Sequence, residues 1–347
     1  LLMQFAANDP RPRRTLRLAC GTAASLALSF GLALPMPFLA PMLCVVILAS
    51  MPRALPFKAV IALPLLVMLT SSIGLLLIPL LIHAPATGVL LVALGLYLCF
   101  GYGQRGGNNL LATFLVIGLT MISAAGATSF ALAVLVIEGL AKGLLIATLV
   151  VVCSHGLFPE QTAAPVPAAA ALKSRLDANW IAVRGTLVVL PAYLLALINP
   201  AGYMPLIMQA VNLGQQASSL SARQAGRELL GSTLLGGLMA LALWGGLSIL
   251  PHLWLFFLWT LLFCLLAARR LYGLSHTRLS AGFWMNSLTT MLLLLGQSVQ
   301  DSATSKDALS AFAVRMALFM AVTLYACAAV YLIDLLRQRH PSLAASS

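Results

Sequence analysis

The chain has 347 residues, of which 8% are charged and 61% hydrophobic, with a net charge of +12. Soluble domains carry about 25% charged residues, so this chain lacks the polar surface that a globule in water needs. Soluble enzymes and disordered chains are thereby excluded, and a mean hydropathy of +1.00 in long apolar runs points to transmembrane helices.

A membrane span needs about 20 apolar residues. In chain order, the runs predict spans at 16–34, 38–51, 57–81, 86–103, 109–127, 130–153, 181–198, 203–217, 226–249, 251–268, 281–299 and 308–334. The longest break holds Pro159, Pro165 and Pro167 with an alanine run, and it reads as a linker. The expected organisation is a first membrane half over 1–153, a cytoplasmic linker over 154–180, a second half over 181–336 and a cytoplasmic tail over 337–347.

The basic residues alternate by loop. Seventeen fall on one side of the predicted membrane, from Arg11 to Arg339, and only Lys306 falls on the other. Lys/Arg excess marks the cytoplasmic side, so both termini are expected there. The basic residues are scattered singly between apolar spans, which argues against nucleic acid, since a binding face needs them clustered. Cys20, Cys44, Cys99, Cys153, Cys264 and Cys327 all lie in apolar runs without CxxC spacing. They read as small hydrophobes, neither metal ligands nor disulfides.

The two halves resemble each other. Arg17 and Arg184 each precede an apolar span, a Pro-containing break, an aromatic (Phe38, Tyr203), a further proline (Pro41, Pro205) and a short span. Lys58 and Arg227 open the third and ninth spans. Arg105 and Arg278 are 173 residues apart, as are Lys142 and Arg315. Six spans per half place both halves in the same orientation, which predicts a parallel repeat. The expected fold class is therefore all-α: a polytopic membrane protein of about twelve transmembrane helices in two parallel six-helix repeats.

Short, interrupted segments at matching positions of two halves point to a transporter's binding region. The eighth span carries Gln209, Asn212, Gln215 and Gln216, amides that lipid tolerates only where they face protein or water. They read either as interior packing or as part of a polar pathway.

Three ionisable residues lie well inside spans: Glu138, Lys142 and Arg315. Each costs about 2.5–3.5 kcal/mol at mid-bilayer on insertion scales. Glu138 and Lys142 are spaced i, i+4 and can form a structural pair. Alternatively, the repeat superposes Lys142 on Arg315, and two cations flanking a pathway favour anions. Arginine suits carboxylates because its planar fork donates two parallel hydrogen bonds. Glu138 is then the candidate proton carrier, and Phe38, Tyr203, Gln209 and Asn212 are candidate lining residues. Arg17, Lys58, Arg184 and Arg227 anchor helix ends and would draw anions toward an entrance. No Walker sequence, HExxH or catalytic triad is present, so neither an enzyme nor any cofactor or metal is expected.

The pattern of Arg17 to Ser50 and Arg184 to Gln216 resembles the fusaric acid resistance and aromatic acid exporter (FUSC-like) superfamily. Arg223-Gln-Ala-Gly-Arg227-Glu-Leu-Leu-Gly231-Ser-Thr233-Leu-Leu-Gly236 is similar to that family's R-x-x-x-G-T-x-x-G helix start, with Ser232 as an extra residue. The large soluble domain typical of the family has no counterpart here, so the chain resembles a compact, membrane-only branch. A more remote similarity is to plant aluminium-activated malate transporters. The resemblance implies a proton-driven secondary exporter of small organic anions such as aromatic carboxylic acids, in a bacterial inner membrane. The lipid bilayer, a HlyD-type periplasmic adaptor and a homo-oligomer are the partners it would admit. A passive anion channel and a non-transporting scaffold for an envelope complex stand as alternatives.

Overall fold

The computed structural model describes residues 9–51, 55–159, 175–217, 224, 226–303 and 308–339, all as helices and short connections. Arg53, Lys173, Arg223, Lys306 and most of the linker lie outside the described residues. Among the described residues, eight helices are long and apolar enough to cross a membrane. The chain is an all-helical, multi-pass membrane protein.

α1 spans Arg11–Gly31. It stops where Ala33 takes a left-handed φ of 49° ahead of Pro35 and Pro37, which cannot extend a helix. α2 (Leu39–Ser50) has 12 residues, about 18 Å of helix, too short to cross the hydrocarbon core alone. The third apolar run is broken into α3 (Ala59–Ser71), α4 (Ile73–Leu76) and α5 (Ile78–His83), with Pro64 inside the first piece. α6 (Pro85–Gln104) leads to α7 (Asn109–Ile117), a π-helical segment Gly118–Ile122 and α8 (Ser123–Thr128). α9 (Phe130–Leu157) precedes the linker.

Beyond the linker lie α10 (Arg175–Ile198) and α11 (Pro200–Ala217), then a second π-helical segment, Gly226–Leu230. α12 (Gly231–Ile249), α13 (Leu253–Leu271), α14 (Ala281–Ala303) and α15 (Ala308–Arg339) complete the chain. α1, α2, α11 and α14 fall on the remaining predicted spans; they are shorter or more polar than the eight.

The chain forms two compact units. One comprises Leu1–Leu65, Gly139–Ala168 and Ser232–Met316; the other comprises Leu66–Glu138, Ala169–Gly231 and Ala317–Ser347. The halves 1–153 and 181–336 therefore do not coincide with the units, because the chain passes from one unit to the other inside α3, α9 and α15 and at the start of α12.

In the first unit, α1 packs on α2 and α13, and α14 packs on α13 and α2. Phe30 meets Phe256 edge-on at 5.1 Å between ring centroids. In the second unit, α10 packs on α11 and α6, while α11 lies against α7, the π segment and α8. Phe100 of α6 marks this junction, since a Cβ at Gly185 would sit 2.9 Å from its ring and one at Gly214 3.4 Å from it. Small residues thus allow close helix approach, as in lipid they must where no hydrophobic drive exists between helices.

Hydroxyls inside these helices mostly bond their own backbone. Thr22 donates to the Leu18 carbonyl at 2.7 Å, Ser29 to Ser25 at 2.7 Å and Thr323 to Phe319 at 2.7 Å. This satisfies each side chain without water. Leucines such as Leu65, Leu69, Leu76, Leu90, Leu94 and Leu98 remain exposed, the apolar coat that a bilayer covers. All six cysteines are unbridged; Cys44 and Cys264 are buried and Cys153 is exposed.

Candidate functional site

α9 is a continuous 28-residue helix carrying two of the three intramembrane charges. Its inward face holds Leu140, Gly143 and Leu144, all buried, and a Cβ at Gly143 would lie 3.1 Å from Leu39 Cβ on α2. Glu138 and Lys142, one turn apart, are both exposed. Arg315 on α15 is half-buried. Leu140 and Gly143 hold α9 by packing, so Glu138 and Lys142 stand on the outer side of the helix without occupying the core.

α11 is organised differently. Gln209, Asn212 and Gln215 recur at a spacing of three and so share one face, and Gln209 is fully buried. Gln215 Nε2 donates to Thr113 Oγ1 of α7 at 2.5 Å. Asn212 is 7% exposed, and its Nδ2 has no hydrogen-bond partner among the described residues. Nearby in the same unit, Tyr193 OH and Ser123 Oγ share a hydrogen bond of 3.1 Å. The π segment Gly118–Ile122 runs against α11; π-bulges are frequent at functional sites. Gln209 and Asn212 are thus brought together on a buried polar face, with Tyr203 half-buried at the start of the same helix. Phe38 is 3% exposed and seated against Gly296 of α14, which makes it a packing residue of the first unit.

The basic residues at helix ends differ sharply in environment. Lys58 and Arg227 are exposed. Arg17 is buried, and its Nη2 donates to the Phe158 carbonyl at 3.1 Å. Arg184 is also buried, but its Nη2 lies 3.2 Å from the Asp334 carboxylate. Asp334 was not singled out from the sequence, although it is the sole acidic residue after Asp307, and an acid at the end of an apolar span calls for a cationic partner. Asn286 is a second polar residue without a sequence signal; it is fully buried and donates to Ser232 Oγ at 2.7 Å. Among the described residues, no group of three or more His, Cys, Asp or Glu is arranged to hold a metal ion.

Residues 14–154 match the family described as "Protein of unknown function (DUF2955)". The match covers the first membrane stretch, from α1 nearly to the end of α9. Comparison with curated proteins and with solved structures returned no match.

Proposed function

We propose that the protein is a secondary exporter of small organic anions, such as aromatic carboxylic acids, in a bacterial inner membrane with both termini cytoplasmic. The observation that carries this reading is the placement of Lys142 and Arg315. Two cations lie within apolar helices, yet one is exposed and the other only half-buried. A side chain kept charged inside the membrane at that cost serves a function by default, and neither of these two is locked into a packed core. Glu138, one turn from Lys142 and equally exposed, is the proton-carrying carboxylate in this scheme.

Corresponding helices play corresponding parts in the two units: α1 and α10, α2 and α11, α13 and α6. This supports twelve spans in two parallel repeats that exchange their opening helix pairs. It also supports the resemblance to the FUSC-like exporters, within which a HlyD-type periplasmic adaptor and a homo-oligomer are the expected partners.

Reconstitution into proteoliposomes tests the reading. Efflux of a benzoate-class anion against its gradient, driven by an imposed pH difference and lost in Arg315→Gln, is the expected result. Downhill flux unaffected by the pH difference would identify a passive channel, and no flux in either condition would leave a membrane scaffold.

A further inference from the structure

Two interrupted helices meet in the second unit. Ser71 closes α3 midway along the 25-residue span Ala59–His83. There Leu75 N–H, which a regular helix would direct to the Ser71 carbonyl, donates to the Ser72 carbonyl at 3.0 Å. The π segment Gly118–Ile122 interrupts the span Leu111–Thr128 near its middle. A π turn sends each amide one residue further back than an α turn, so it also disturbs the regular pairing of carbonyls. α4 packs on this segment, and the contact is backbone on backbone. A Cβ at Gly118 would lie 2.5 Å from Ser71 Oγ and 2.7 Å from Ser71 Cα, and one at Gly74 would lie 2.8 Å from the Gly118 carbonyl oxygen. Gly74 and the whole π segment are buried.

The hydroxyls around this contact are not alike. Thr70 donates to the Leu66 carbonyl at 2.8 Å and Ser72 to the Met68 carbonyl at 2.7 Å, the ordinary solution for a hydroxyl in a membrane helix. Thr120 Oγ1 donates to the Val116 carbonyl at 2.7 Å, and Ser123 Oγ to the Leu119 carbonyl. Ser71 departs from the pattern. Its side chain is 2% exposed, and Oγ has no hydrogen-bond partner among the described residues. A buried hydroxyl in that state is costly inside a bilayer, where no bulk water makes up the loss.

We infer that Ser71 Oγ, the Ser71 carbonyl and the Gly118 carbonyl hold a monovalent cation of the size of Na⁺. The last carbonyls of a helix carry the negative end of its dipole, and α3 ends at Ser71. Helices interrupted at mid-membrane are where transporters place ion sites, with half-helix C-terminal ends and irregular backbone carbonyls as ligands. Neutral oxygens suit a single positive charge, whereas Ca²⁺ and Mg²⁺ are held through carboxylates. The close approach at Gly74 and Gly118 favours a small ion. The assignment does not depend on what the protein transports.

Thermal melts of the whole protein in detergent, in NaCl, KCl or choline chloride at one ionic strength, test it alongside binding of radiolabelled Na⁺. Na⁺ is expected to bind saturably and to raise the melting temperature along the same curve, with K⁺ and choline doing much less. Ser71→Ala should weaken the apparent Na⁺ affinity about tenfold, as loss of a polar contact to a charge does. Without Na⁺ the same variant should melt no lower than the wild type, because it removes a buried hydroxyl that has no partner. Ser29→Ala, which removes a hydroxyl bonded to its own helix, should leave the Na⁺ response unchanged. An equal response to the three salts, or no saturable Na⁺ binding, would overturn the site. Unchanged Na⁺ affinity in Ser71→Ala would do the same, as would an equal loss of stability by that variant in every salt, the mark of a purely structural serine.

Discussion

Arg184 and Asp334 stand 150 residues apart in the chain and meet inside the second unit, with Arg184 Nη2 at 3.2 Å and 3.3 Å from the two carboxylate oxygens. The arginine side chain is 8% exposed and the aspartate 30%. Removing one partner of such a pair leaves the other charge buried and uncompensated. Asp334→Asn strands Arg184, the more buried of the two, and is expected to cost about 3 kcal/mol, whereas Arg184→Gln leaves Asp334 in partial contact with solvent and should cost less. Arg184→Gln combined with Asp334→Asn should recover part of that loss. Unfolding in detergent, arranged as a double-mutant cycle, measures both; additive losses would show that the pair is not coupled.

Gly236 and Gly139 offer a graded test of close packing. A Cβ at Gly236 would lie 2.6 Å from the Ser287 carbonyl oxygen and 2.7 Å from Thr290 Cβ, whereas one at Gly139 would meet Met36 at an ordinary 3.4 Å. A backbone carbonyl cannot move aside cheaply, so Gly236→Ala is expected to destabilise by about 2 kcal/mol through overpacking. Gly139→Ala should be nearly neutral. A thermal melt of the two variants side by side decides between them.

Asn212 separates stability from transport. A buried amide donor without a partner costs about 1–3 kcal/mol, which Asn212→Leu should partly recover by raising the melting temperature. If the α11 face serves the substrate, the same variant should lose uptake into inverted vesicles. Higher stability with full transport would assign Asn212 to packing alone.

Arg315 is distinguished from a generic positive charge by its fork. Arg315→Lys keeps the charge and loses bidentate geometry, so transport should fall partway, with a weaker apparent affinity for the anion. Arg315→Gln removes both and should reduce transport by roughly tenfold or more. Equal rates for Lys and Gln variants, at matched expression, would count against direct carboxylate contact.

Much of the helix inventory is legible in the linear chain because a span in lipid must satisfy its own backbone and show apolar side chains outward. The break after α1 follows from Pro35 and Pro37, and the start of α11 from Pro200 at its first position. The amides of α11 stand out because lipid penalises them. Asp334 and Asn286 do not stand out, since each is made tolerable by a partner far along the chain, Arg184 and Ser232. No periodicity within a single helix encodes such a pairing.

The sequence by itself determined that this is an all-helical, multi-pass membrane protein and where most of its helices begin and end, since hydropathy and proline act locally. Which helices form a unit was decided only by tertiary packing. The stretches on either side of the linker each contribute to both units because α1 finds its neighbour in α13 and α10 finds its own in α6. That choice depends on small residues and ring shapes meeting across long stretches of chain, 85 residues between Phe100 and Gly185 and 226 between Phe30 and Phe256, a fit that exists only once the helices are side by side.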